Sequence, residues 1–182
     1  MSSLKNSYGR ETNIRESRKL PIFVPFTDDG TPTGSREMDV DGSVTPQEFY
    51  LSPLPTLEYS LLGISVRVTD GGNPAYEDYG NVTGPLTNGL TFFITQGGEE
   101  LPLSPVIKRN IDWLEFGPTI SIIQFSNSVR FLTYTLDLSR LSSSIILDGN
   151  HGDKFGCRVN DDLTGLLSHE IGVQGFSRIV SV

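Results

Sequence analysis

This sequence of 182 residues is short of the side chains on which much enzyme chemistry depends. It has one cysteine, one tryptophan, two methionines and two histidines. The lone Cys157 can form no internal disulfide. It falls on the expected core face of a strand, as a small apolar residue in a protein assembled in a reducing compartment. His151 follows a turn and His169 opens the last strand, and no second imidazole stands at metal-ligand spacing from either. There is no Gly-x-Ser-x-Gly elbow and no glycine-rich phosphate loop leading into a helix. Catalytic residues, cofactor and metal are therefore expected to be absent. No apolar run approaches the roughly 18 residues of a membrane span. No apolar stretch follows the early basic residues, so neither a membrane nor a secretory signal is expected.

What the sequence does have is 19 glycines and 11 prolines, set between short apolar runs, with almost no helical periodicity. That pattern predicts one all-β domain, an antiparallel jelly-roll-like β-sandwich over 21–182, preceded by an extended N-terminal arm over 1–20. Charge divides at the same place. Residues 1–20 hold five basic residues (Lys5, Arg10, Arg15, Arg18, Lys19) against Glu11 and Glu16, a net of +3. The rest holds nine basic against twenty acidic, a net of −11, for the total of −8. So acidic a body repels phosphate backbones, and nucleic acid is not its expected partner. The arm, with Arg10, Arg15, Arg18 and Lys19, suits an acidic protein neighbour and reads as ordered only on a partner.

After the arm, Leu20 to Phe26 is apolar and carries Pro21 and Pro25. Proline cannot donate to a ladder, so this segment belongs on a sheet edge or against another chain, with Phe23 and Phe26 as candidate contacts. Strands are expected over Ser43–Ser52, with Val44 and Phe49, and over Leu57–Thr69, with Leu62, Ile64, Val66 and Val68 on one face. Asp70–Pro85 is a long loop, and loops beyond about 12 residues usually contact a partner. Its Tyr76 and Tyr79 are the candidate contacts there. Further strands are expected over 86–96, 101–108, 119–125, 129–138 and 144–147, with a turn at Gly97-Gly98 and one helical turn around Trp113. The C-terminal stretch Phe155–Phe176 reads as strand, polar turn, strand. Phe155, Cys157 and Val159 lie on one face of the first strand, Ile171 and Val173 on one face of the second, and Gly175 marks a bulge.

Carboxylates cluster in turns, at Asp28-Asp29, Asp39 with Asp41, Asp70, Glu77-Asp78, Asp148 and Asp161-Asp162. None has the spacing of a calcium loop, and Asp in turns is explained by local backbone hydrogen bonds. A glycosidase pair would need two acids about 5 to 10 Å apart across a groove. The sequence points to no such pair, and a hydrolase using one stays as a third reading.

The segments Tyr79-Gly80-Asn81, Leu86-Thr87-Asn88-Gly89-Leu90, Gly97-Gly98, Ile111-Asp112-Trp113, Val159 to Leu166 and Val173-Gln174-Gly175 together resemble small virion structural proteins of tailed bacteriophages. The likeness spans Ser43 to Gly175. It implies a β-sandwich particle component of cement or decoration type, with no catalytic residues. Such a component would bind the major capsid protein or other virion proteins, stabilise the shell, and be assembled into the virion in the host cytoplasm. A homo-oligomer matching a lattice symmetry axis is expected, with a trimer favoured. The alternatives are a head–tail connector or tail component and, from the sandwich fold and its tyrosine-bearing loop, a carbohydrate-binding or host-attachment module.

Overall fold

The computed structural model describes residues 4–5, 11–12, 19–70, 77–79, 82, 84–113, 124–125, 130–138 and 145–180. Within the arm, β1 (Leu4–Lys5) pairs antiparallel with β2 (Glu11–Thr12). The body holds β3 (Leu20–Pro25), β4 (Gln47–Leu51), β5 (Leu57–Asp70), β6 (Leu90–Gln96), β7 (Glu99–Pro102), β8 (Gln124–Phe125), β9 (Arg130–Asp137), β10 (Ile145–Asp148), β11 (Lys154–Val159) and β12 (Ser168–Ile179). Two antiparallel sheets result. One runs β3-β12-β5-β9-β8 with β10 also on β5, and the other runs β4-β11-β6-β7.

The pairings disclose how the chain is wound. β3 pairs β12, β4 pairs β11, β5 pairs β9 and β6 pairs β7, so strands equidistant from the middle meet. The body is thus a long hairpin, doubled over and rolled until its ends lie side by side. This is the eight-stranded jelly roll, with β8 and β10 as additions. The inner faces of both sheets bury one core, with Ile64, Val66, Val68, Ile171 and Val173 on one side and Phe49, Leu51, Leu90, Phe92, Phe155, Cys157 and Val159 on the other. At its centre Phe26 meets Phe155 edge-on at 5.1 Å, and Phe92 meets Trp113 at 5.6 Å.

Several expectations are met and several are corrected. Gly97 and Gly98 take φ of 59° and 84°, the two positive values a tight β6–β7 hairpin needs. The Phe155–Phe176 stretch is not a hairpin. β11 lies in one sheet and β12 in the other, so residues 160–167 cross between layers. Alternation reports which face of a strand is buried and leaves its partner open. Leu62 is also corrected. The β5–β12 register shifts between Gln174 and Gly175, which leaves Leu62 as an extra residue in β5. The phase flips there: Leu61 is buried before the shift, Ile64 after it, and Leu62 turns outward. Val44 stands 90% exposed ahead of β4. The turn before Trp113 is a 3₁₀ segment, Asn110–Asp112. The expected strand over 119–125 is described only at its end, as β8.

Candidate functional site

The residues that the sequence marks for partner contact separate into three groups. Arg10, Arg15, Arg18 and Tyr76 lie outside the described residues. Lys19 and Phe23 are exposed, Phe23 by 64%. Phe26 and Tyr79 are fully buried, so in this fold neither offers a surface to a partner. Phe26 turns inward because the chain continues past Pro25 into the sandwich, where its amide donates to Ile171 O at 2.7 Å. Tyr79 is held by the opening of β12: its Oη lies 2.8 Å from His169 Nε2, and the rings meet nearly perpendicular. Burial strips water from the imidazole and lowers its pKa to about 3, so His169 is neutral here.

What remains open is the outer face of the sheet at its β3 edge. Phe23 lies over Gly172, whose missing side chain gives the ring room. Beside it, Pro21, Phe23, Leu62, Gln174 and Phe176 line a shallow hollow of about 510 Å³. A second hollow of about 240 Å³ continues past Phe23 to Pro25, Arg36, Arg67 and Glu170. The bulge that expels Leu62 supplies one wall of the first hollow, and a strict two-residue period gives no sign of it. Toward the far end of the same face, Arg178 and Glu58 are directly opposite and paired at 2.5 Å.

The β3 edge itself is poor in donors. The Phe26 amide points at β12, so by alternation the amides of Ile22 and Val24 do too, and positions 21, 23 and 25 face the open edge. Pro21 and Pro25 have no N–H. Only Phe23 offers one, which discourages addition of a foreign strand.

On the other sheet the outer face is covered where β6 and β11 meet. Phe93 points outward yet is 1% exposed, because Arg158 and Lys154 lie across its ring. Arg158 bonds Glu48 at 2.6 Å and Glu100 at 2.7 Å, and the Glu100 carboxylate, then that of Glu48, holds it protonated. Its charges are matched in place.

The acidic turns serve the backbone. Asp29 accepts from Thr31, Asp41 from Ser43, Asp148 from Asn150 and Asp162 from Thr164. Asp161 reaches further, accepting the amides of Thr87, Asn88 and Gly89. Among the described residues no three His, Cys, Asp or Glu side chains converge as a metal site. Glu37 is raised by burial and by its hydrogen bond with Glu170. Carboxyls in direct contact leave no room between them for a substrate, unlike a glycosidase pair.

Comparison with protein-family models and with curated proteins finds no match. Among solved structures the chain is similar to a carbohydrate-binding module, CBM28, described as specific for non-crystalline cellulose. The identity is 9%, the TM-score is 0.30, and the match covers 89% of this chain and 73% of that one. A likeness of that size assigns no ligand to this chain.

Proposed function

We propose that this protein is a structural component of a bacteriophage virion, of cement or decoration type, which binds the major capsid protein and stabilises the shell. One observation carries the reading. The rolled sandwich leaves an apolar hollow on the outer face of its larger sheet, at β3, where the basic leading segment joins the body. Jelly rolls are a recurrent choice for shell proteins, an analogy of fold that the surface must complete. The burial of Tyr79 removes one of the two loop aromatics that favoured a carbohydrate-binding reading.

The test is occupancy on particles that lack the protein. Full-length chain added back should bind in saturable fashion. Chain lacking residues 1–19, or carrying Phe23→Asp, should bind at least about ten-fold more weakly. Equal occupancy by all three would refute the docking role of arm and face. Copy number separates the variants of this reading: hundreds per particle for a shell protein, a dozen or fewer for a connector or tail component.

A further inference from the structure

We infer that Asn88-Gly89 is a latent site of self-modification, at which the Asn88 side chain loses ammonia to its own backbone, and that Asp161 holds it unreacted in the folded chain. It is the one Asn-Gly step in the sequence. The chemistry needs only water. The Gly89 backbone nitrogen gives up its proton and attacks Cγ of Asn88. The new N–C bond closes a succinimide ring, and the Cγ–Nδ2 bond breaks to release ammonia. Water then opens the ring at one of its two carbonyls, leaving aspartate or isoaspartate. Glycine favours this reaction because it has no Cβ to crowd the attacking nitrogen.

The fold both presents the step and blocks it. Asn88 is exposed, so water reaches its side chain, and Gly89 is buried beside it. The nitrogen that would attack is already engaged. The Gly89 amide donates to Asp161 Oδ2, and the Asn88 amide donates to the same oxygen at 2.8 Å. A carboxylate that accepts this N–H stabilises the protonated amide, and its charge opposes the amidate that attack requires. The other side of Gly89 is pinned as well. Gly89 O accepts from Asn160 N at 3.2 Å and from Asn160 Nδ2 at 3.0 Å. Asn88 Nδ2 donates to Asn160 O at 3.2 Å, which tethers the leaving group. Leu90, next in the chain, exchanges backbone hydrogen bonds with Ile107 at 2.8 and 2.9 Å. The Cα of Gly89 packs against Val106 and the Ile107 carbonyl, so the peptide has little room to turn.

The product undoes its own restraint. Hydrolysis puts a second carboxylate on the residue whose amide Asp161 accepts, and like charges repel. In isoaspartate the main chain runs through the former side chain and gains a methylene between residues 88 and 89. The Thr87, Asn88 and Gly89 amides then no longer fit one carboxylate. The crossing over residues 160–167 loses its hold on the entry of β6. Reaction is therefore a one-way step to a less stable chain. The inference stands apart from the particle assignment, since it concerns the chain alone.

The test ages the full chain in mildly alkaline buffer and follows Asn88 by peptide mapping, where reaction adds about 1 Da. Folded wild type should react at least about ten-fold more slowly than wild type held unfolded in urea. Asp161→Asn keeps the shape and drops the charge, and when folded it should react at least about ten-fold faster than folded wild type. Circular dichroism checks its folding. Hydrogen exchange on wild type gives a reading that needs no variant: the Gly89 amide should be protected. Modified chain, separated by its added negative charge, should melt below fresh chain. Asn88→Gln, whose longer side chain closes such a ring far more slowly, should not change on ageing. Folded wild type reacting as fast as unfolded, a folded Asp161→Asn no faster than wild type, free exchange at Gly89, or modified chain melting with fresh chain would each overturn the inference.

Discussion

Asp161 Oδ2 accepts the backbone amide of Asn88 at 2.8 Å across 73 residues of chain. The same carboxylate takes the Thr87 and Gly89 amides, and Asn160 Nδ2 donates back to Gly89 O at 3.0 Å. The interlayer crossing is thereby tied to the entry of β6. Asp161→Ala would strand amides that have no other described acceptor, and we expect a loss of about 3 kcal/mol or more. Asp161→Asn, which keeps one acceptor oxygen, should lose less. Urea unfolding monitored by fluorescence measures both, and an alanine variant within about 0.5 kcal/mol of wild type would contradict this role.

His169 makes the fold sensitive to acid. Unfolded, its imidazole protonates near 6.5, whereas folded it resists until about 3. The unfolded chain therefore binds the extra proton, and stability falls as the pH drops from 6.5 toward 3. At pH 5 the cost is about 2 kcal/mol. Glu37 acts in the opposite sense: its raised pKa favours the folded state on the acid side and loses that contribution as the pH climbs. His169→Gln isolates the histidine term. Thermal melts of this variant should change less between pH 7 and pH 5 than those of wild type, and an identical change would refute the assignment.

Two glycines of β12 should respond differently to alanine. At Gly175 a Cβ would run into the Ser60 carbonyl, a backbone group fixed by the bulge. We expect a loss of about 2 kcal/mol or more from Gly175→Ala. At Gly172 the nearest atom, 2.8 Å away, is the far end of the Phe23 ring, which is exposed and can swing. Gly172→Ala should cost about 1 kcal/mol or less. Equal losses in chemical denaturation would show that the bulge imposes no special constraint.

Cys157 is fully buried, and desolvation pushes its thiol far above the usual range. Ellman's reagent should label it only as fast as the chain unfolds, with full labelling in denaturant. Rapid labelling of the folded protein would contradict its place in the core.

How legible this architecture is depends on the range of the interaction. Two-residue alternation identifies the inner faces of Ile64–Val68, Phe155–Val159 and Ile171–Val173, and the double glycine identifies the β6–β7 turn. Alternation is a local property, so it misleads where the outcome depends on distant chain. It suggests a hairpin where β11 and β12 part company, and it places Leu62 inside when the bulge turns it out. Proline and loop context make Phe26 and Tyr79 candidates for partner contact, and for Tyr79 they leave packing back on the sheet equally open. Phe26 is instead packed against Phe155, and Tyr79 is bonded to a histidine 90 residues away. Phe23 is legible as a surface residue because its prolines confine the segment to an edge. The hollow beside it is not legible, because it forms from β3, the β5 bulge and β12 together.

The proposed role is that of a virion component that stabilises a shell. Quantitative mass spectrometry of purified particles, combined with imaging that locates this chain, tests that most directly. The account predicts a fixed, stoichiometric complement on the particle surface, contacting the major capsid protein through the β3 face. Particles containing none of it would contradict the account.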